Sequence, residues 1–442
     1  MVLPSRNKRG FVVFVNVCRW LLALVLMLSG FLKAVDPVAG VYKLQEYVSA
    51  FSLTGMSGGW LSAFAVAQAA VEFLVGLYLL VGIYRGFVSF MALLMMLLFT
   101  PFTLYLWVSG VVTDCGCFGE SLLMSNAMTF VKNVVLLFLS FVAFAGRRAF
   151  VRCISSNMRW ALVLFSLVYI LGMQGVAMHH LPLFDSGSYT VGTDLRSKVE
   201  CVPAEYESMA IYRKVGEEDV FFVPADTVMG NEWEFGGYTE VLVTAGTEPE
   251  IGNFSIVDWE YDVEMADILL ADTGYVCIVP IESVEAASVT HVDKVNDLYD
   301  YCIANGMAFC AVSSSDEDAL SLWAKHTGAE YPVYWADAAM LRSMVHANPA
   351  LVLLKDGVVI GKWAASDIPA VQGVEGTDVF SSVEGLPVYA DYRIWPFWVI
   401  VLTAAVVLLS LIDAFLVQIA RGERGEVVTK ETAVEAKDDE NK

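Results

Sequence analysis

The residues of this 442-residue chain with the plainest chemistry stand in one run, Asp114-Cys115-Gly116-Cys117-Phe118-Gly119-Glu120. Two cysteines at i and i+2 can reach the Cα separation of a disulfide, although the ring is tight. Gly116 removes a Cβ and eases the turn. A strained, accessible disulfide is reduced and exchanged more readily than a structural one, so the pair suits thiol–disulfide work. Two thiolates with Asp114 are also a donor set for a soft metal. A static loop with two incidental thiols is the third reading, and spacing alone leaves all three open.

Ionisable side chains inside apolar stretches are the next candidates, because a charge within a bilayer is a functional hypothesis by default. Arg19 lies about 12 Å into the first apolar stretch, and Glu72 about 16 Å from the same-side end of the second, at about 1.5 Å per residue. Antiparallel helices would then pair Arg19 with Glu72, as a functional site or as a structural pair that neutralises itself. Lys132 enters the fourth stretch close to the cysteine loop. It either snorkels to the interface or lowers the pKa of a neighbouring thiol. Pro101 is expected to kink the third stretch. His179 and His180 are adjacent and mark the end of the fifth stretch. No phosphate-binding glycine loop, histidine cluster or Ser-His-Asp set is apparent.

These residues need elements to hold them. The chain is 57% hydrophobic and 17% charged, with a mean hydropathy of +0.59. Soluble domains run at about 45–50% apolar and about 25% charged. A disordered protein and a simple soluble enzyme are therefore excluded. Six stretches, 11–31, 59–83, 87–108, 127–145, 160–178 and 394–419, approach or exceed the roughly 20 residues that cross a bilayer core. Arg6, Lys8, Arg9, Arg85, Arg147, Arg148, Arg152, Arg159, Arg421 and Arg424 all fall on one side if both termini are cytoplasmic. Trp60, Trp107, Trp395 and Trp398 sit near stretch ends, as interfacial anchors do. The first stretch is longer than a signal-peptide core and contains Arg19, so it reads as a retained helix. Residues 421–442 form a charged cytoplasmic tail, expected to be disordered.

Residues 181–392 carry 36 acidic and 9 basic residues of the chain's 49 and 27. This acidic body faces the outside on the topology above, and the acidic balance argues against a nucleic-acid partner. Cys18 falls within the first span and Cys153 on the cytoplasmic side. Cys115, Cys117, Cys201, Cys277, Cys302 and Cys310 fall at or beyond the outer face, where disulfides persist. Short alternating runs at 209–213, 220–223, 233–235 and 241–243 predict a small β-rich section over 181–248. From 251 to 388 the order reads β-α-β-α-β-β. It has strands at 275–281 and 307–312, helices at 291–305, 317–327 and 338–347, and a hairpin across Asp356-Gly357. Cys277, Cys302 and Cys310 fall on strand and helix faces, as buried, inert thiols do.

The first 150 residues resemble the DoxX-like membrane proteins and, within them, the methylamine utilisation protein MauE family. The matching residues are Ser29-Gly30-Phe31-Leu32-Lys33 with Asp36-Pro37, Glu72, and the cysteine loop from Asp114 to Glu120. The resemblance implies a four-helix membrane bundle tied to periplasmic redox maturation. MauE-type proteins are linked with methylamine metabolism, through the disulfide-rich methylamine dehydrogenase, and with a thioredoxin-like companion. Residues 249–390 resemble a thioredoxin or TlpA-type domain, on Glu250-Ile251-Gly252-Asn253-Phe254-Ser255 and on Asn348-Pro349 followed by the hairpin. Where that family carries Cys-x-x-Cys after its strand, this chain has Glu282-Ser283-Val284-Glu285-Ala286-Ala287-Ser288. The departure predicts no dithiol activity from this domain alone.

The fold expected is therefore a six-span α-helical membrane bundle plus an α/β thioredoxin-like extracytoplasmic domain with a small β section. Residues 151–180 supply the fifth helix and 391–420 the sixth. Two functions follow. In the first, Cys115 and Cys117 form a membrane thiol–disulfide relay, supported by Asp114, Gly116, Lys132, Arg19 and Glu72, with a quinone as a possible cofactor. In the second, a non-enzymatic scaffold anchors an acidic domain that binds an envelope client. Both place the chain in the inner membrane, with lipid and a periplasmic client or thioredoxin-like protein as partners.

Overall fold

The computed structural model describes residues 6–52, 58–112, 116, 124–155, 157–182, 187–201, 204–214, 220–230, 232–247, 249–252, 254–369, 371, 380 and 397–413. The first part is helical, with α1 (Arg6–Val35), α2 (Pro37–Ala50), α3 (Gly58–Val81), α4 (Arg85–Ser109), α5 (Asn126–Ala145) and α6 (Arg159–Ala177). All but α2 are long and apolar enough to cross a membrane. Their outward faces stay apolar: Phe14, Leu21, Leu98, Phe141 and Val168 are all exposed. A helix that is hydrophobic all round needs lipid or protein on every side. The protein is accordingly a multi-pass membrane bundle. α4 continues as one helix through Pro101.

Glycines set the closest helix contact. A Cβ on Gly30 of α1 would stand 2.3 Å from the Phe73 nitrogen of α3, and one on Gly76 would stand 2.4 Å from the Met27 nitrogen. The bare backbones let the two helices touch, as small residues do in membranes. At one bundle end Arg85 donates to the Arg148 carbonyl at 3.2 Å, and the Arg159 guanidinium lies 5.5 Å from the Tyr84 ring centre.

The short α2 does not show in hydropathy alone. Its start is nevertheless written locally: Asp36 caps it, accepting from the Ala39 N–H at 3.0 Å, and Pro37 opens the first turn. Both are favoured there.

Beyond α6 the chain forms α7 (Leu195–Val199) and a three-stranded antiparallel sheet of β1 (Glu205–Lys214), β2 (Val220–Pro224) and β3 (Trp233–Thr244), in the order β2-β1-β3. The runs at 233–235 and 241–243, expected as two strands, are one. Gly236-Gly237 resembles a turn signal. Here it absorbs a register shift opposite Ile211 and Tyr212, with Gly237 at φ +125°. A bulge admits the extra residue without ending the strand.

The larger unit contains β4 (Ile256–Asp258), β5 (Val263–Glu264), α8 (Ala266–Ala271), β6 (Tyr275–Ile281), α9 (Val292–Ala304), β7 (Ala308–Ser313), α10 (Glu317–Thr327), β8 (Val333–Ala336), α11 (Ala338–Met344), β9 (Ala350–Lys355) and β10 (Val358–Ala364). Its seven-stranded sheet runs β10-β9-β6-β7-β8-β4-β5. β6, β7 and β8 are parallel, β9 is antiparallel to β6, and β10 is antiparallel to β9. The hairpin turns at Asp356 (φ +52°) and Gly357 (φ +73°), the Asp-Gly geometry expected. The expected order lacked β8 and the β4–β5 ribbon, which are too short to show a period. Apolar cores cover both sheet faces. Cys277, Val279 and Ile281 meet α9 on one side, while Val276, Ile278 and Cys310 meet Met340 and Leu341 of α11 on the other. A strand buried on both faces reads as the continuous apolar run seen at β6.

A last apolar helix, α12, is described over Phe397–Asp413 and lies against α6. The Tyr169 hydroxyl donates to the Trp398 carbonyl at 2.9 Å. At the other end Asp413 accepts from the Ser155 N–H at 2.8 Å and from its hydroxyl. Residues 394–396 and 414–419 of the expected sixth span, and the tail, lie outside the described residues.

Candidate functional site

The close approach of α1 and α3 decides which charges meet. Gly30 faces Phe73, so the residue before Phe73 falls beside Ser29 and Lys33. The Glu72 carboxylate accepts from the Ser29 hydroxyl at 2.8 Å and pairs with the Lys33 ammonium at 2.6 Å. All three are largely buried, and the Lys33 and Glu72 side chains are 14% and 5% exposed. This corrects the expected Arg19–Glu72 pair. Similar depths were counted from the ends of the apolar stretches, but α1 runs well past the end of α3 on that side. Arg19 instead lies level with Gly82, ten residues before Ser29, or about 15 Å along the helix. It donates to the Val151 carbonyl at 2.8 Å and lies 4.9 Å from the Phe150 ring centre.

Glu72, Ser29 and Lys33 open onto a cavity of about 1190 Å³ between α1, α2, α3, α4 and α5. Its floor is apolar, with Leu26, Met96, Phe99 and Leu136. The buried Asn133 and Thr103 add polarity on one wall, joined by a 3.2 Å hydrogen bond. α2 contributes Lys43, Glu46 and Gln45. Lys43 pairs with Glu46 at 2.6 Å, while the Gln45 side-chain oxygen is shielded from solvent with no hydrogen-bond partner among the described residues. Lys132 and Gly116 also line the cavity, and a Cβ on Gly116 (φ +56°) would stand 3.0 Å from Lys43 Cγ. Among the sequence candidates the structure therefore brings together Glu72, Lys132 and Gly116 and leaves Arg19 apart. Asp114, Cys115 and Cys117 lie outside the described residues. Among those described, no group of three or more His, Cys, Asp or Glu is placed to hold a metal.

The α/β unit closes the cavity from above with Ala339, Arg342 and Ser343 of α11. Its contact with α2 is polar and specific. His346 Nδ1 pairs with Asp36 at 2.7 Å, and its ring meets Tyr42 edge-on at 5.8 Å. Arg342 lies 5.7 Å from the Tyr42 ring centre and 3.5 Å from Glu282. Burial and the hydrogen-bonded Glu282 carboxylate hold the Tyr42 phenol above its ordinary pKa. Sequence reading named Lys33 only within the family resemblance and missed its pairing with Glu72, as well as Gln45 and this whole contact. The Asp36-Pro37 cap was their one local signal.

The docked edge is the one that carries Glu282 and Pro349. Asn348 donates to the Ser283 carbonyl at 2.8 Å, and its own carbonyl accepts from the Ser288 N–H at 3.0 Å. Within the 282–288 loop the Ser283 hydroxyl donates to Glu285 at 2.6 Å, and that bond chiefly holds the Glu285 carboxyl below its ordinary pKa. Hydroxyls and a carboxylate stand in this loop, which holds no cysteine. Cys277 and Cys302 lie 3.6 Å apart, both fully buried. The Cys302 hydrogen bond, with burial, holds the Cys277 thiol well above its ordinary pKa. Burial pushes Cys310 up to about 12. These thiols are poor nucleophiles. Cys153 and Cys201 are exposed.

Comparison with known proteins bears on the bundle first. Residues 12–146 match the family described as methylamine utilisation protein MauE. No curated relative matches the chain. Among solved structures, a solution structure from Bacteroides thetaiotaomicron, described as a candidate protein disulfide isomerase, shares 13% identity over 30% of this chain and 80% of its own, with a TM-score of 0.23. That likeness is too slight to bear on the function. The chain is thus a multi-pass membrane protein that matches the MauE family over residues 12–146, with an α/β unit and a further apolar helix following.

Proposed function

We propose that this protein is a membrane thiol–disulfide relay for the maturation of envelope proteins. Cys115 and Cys117 are its working pair. The attacking thiolate of a client opens the Cys115–Cys117 disulfide, a mixed disulfide forms, and the client's second thiol resolves it. The client leaves with a new disulfide and the loop as a dithiol. The observation that carries this reading is Gly116, seated against Lys43 at the rim of a cavity that also holds Lys132. Cations beside a cysteine favour its thiolate. The MauE match over residues 12–146 supports the same reading.

The arginines gathered at the bundle end away from the α/β unit support a cytoplasmic placement of that end in the inner membrane. Residues 181–392 are then periplasmic. The loop at 282–288 carries no dithiol, so the α/β unit serves to dock and not to exchange. That same loop favours the second reading, a scaffold without redox chemistry. Cys117→Ala separates the two. It should trap a client on Cys115 as a reducible band on a non-reducing gel, and Cys115→Ala with Cys117→Ala should remove the band and client maturation together at unchanged protein level. Normal maturation in the double variant would establish the scaffold.

A further inference from the structure

Two cysteines meet in the core of the α/β unit and take no part in the chemistry above. We propose that Cys277 and Cys302 become joined as a disulfide when the protein matures, and that this bond pins β6 to α9 on either side of the docking loop at 282–288. It rests on the periplasmic placement of residues 181–392 for its oxidising surroundings, and on the core of the α/β unit for its geometry.

Four observations carry it. The two sulfurs, reduced in the structure, lie 3.6 Å apart. A bond of about 2.05 Å is therefore reached by closing about 1.5 Å. The pairing has no rival among the described cysteines. Cys277 and Cys302 share one core, while Cys310 sits in register beside Ile278 and belongs to the core on the other face of the sheet. Cys153 and Cys201 are exposed. Both members of the pair are 0% exposed, so a bond between them is shielded from reductants in solution. Its place also matters. β6 ends at Ile281 and α9 begins at Val292, so a link between residues 25 apart encloses the whole loop. That loop holds the Glu282 that faces Arg342 and Tyr42, and its Ser283 and Ser288 bind Asn348.

The order of events follows from burial. The attacking species in disulfide exchange is a thiolate, and the folded core holds the Cys277 thiol well above its ordinary pKa. The bond therefore forms before the core closes. One cysteine of the still open segment attacks an accessible disulfide of an envelope protein and forms a mixed disulfide, and the second displaces that protein's sulfur. Two S–H bonds of this chain break and one S–S bond forms. The two electrons and two protons leave with the envelope protein, as its dithiol.

The test maps the wild-type full chain. Membranes from cells that make it are quenched in acid, denatured, treated with N-ethylmaleimide and digested without reductant. Mass spectrometry should find the Cys277 peptide linked to the Cys302 peptide. Maleimide on both cysteines, or a bond from either to a different cysteine, would overturn the proposal. Membrane-impermeant maleimide added to spheroplasts reads the placement separately, through the exposed Cys201. Alkylated Cys277 and Cys302 beside a labelled Cys201 would remove the disulfide and keep the placement. A linked pair beside an unlabelled Cys201 would keep the disulfide and remove the placement. In nanodiscs, Cys277→Ala, Cys302→Ala and the double variant should all be cleaved by protease within residues 249–369 about a hundredfold faster than the linked chain, because each loses the same crosslink. Unchanged cleavage in all three would overturn the pinning. The mapping needs no variant, so a variant that fails to fold leaves it decisive.

Discussion

At the scale of single residues, the bundle's chemistry turns on which cation Glu72 meets. Lys33 and Ser29 satisfy it, so removing either charge strands the other in a low-dielectric site. Such a loss typically costs about 3–5 kcal/mol. Glu72→Gln and Lys33→Gln should each destabilise the protein by that order, while the double variant loses well under the sum, read by reversible unfolding in mixed micelles. Arg19→Gln combined with Glu72→Gln should instead add to within about 0.5 kcal/mol, as distant sites do. Strong coupling of Arg19 to Glu72 would reinstate the pairing that the helix register rules out. The identity of the charged residues was legible in the sequence. Their partners were not, because depth counted from apolar ends is uncertain by several residues, and one turn changes the neighbour.

At the scale of elements, the register of α1 on α3 rests on two glycines. Gly30→Ala places a methyl carbon where only 2.3 Å separates it from backbone, and backbone cannot rotate aside as a side chain can. Overpacking of this kind costs about 1–3 kcal/mol or more. The variant should reduce folded protein in membranes, while Gly58→Ala and Gly59→Ala, with open space around them, should not. Equal yields from all three would show that the helices do not need this contact. Local signals explain what sequence reading recovered. Glu317–Thr327 is the helix expected, since Asp316 caps it and Gly328 (φ +68°) ends it. The paired glycines of α2's neighbours carry no such local mark, and neither does β8, whose four residues take their place from parallel pairing with β7 and antiparallel pairing with β4. The absence of a dithiol at 282–288 was plain from composition. That this edge faces α2 was not, because a docking surface has no period.

At the scale of the whole molecule, the arginines and the acidic unit occupy opposite ends of the bundle. Protease added to spheroplasts should cut within residues 181–392 and spare a tag on the C-terminus. Protection of the acidic unit, or loss of the tag, would reverse the orientation. One feature reaches further. The α/β unit stands in the chain between α6 and α12, and those helices lie side by side. It is therefore held by both of its ends, and its docking on Asp36 and Tyr42 is an intramolecular event. Short tethers give effective concentrations in the millimolar range. Any free protein that seeks the same face of α2 competes against a resident at that concentration. A rival of micromolar affinity, at micromolar abundance, would find the face taken most of the time. Access to the bundle from this side is then a matter of how often the resident lets go, and the His346–Asp36 and Tyr42–Glu282 contacts set that rate.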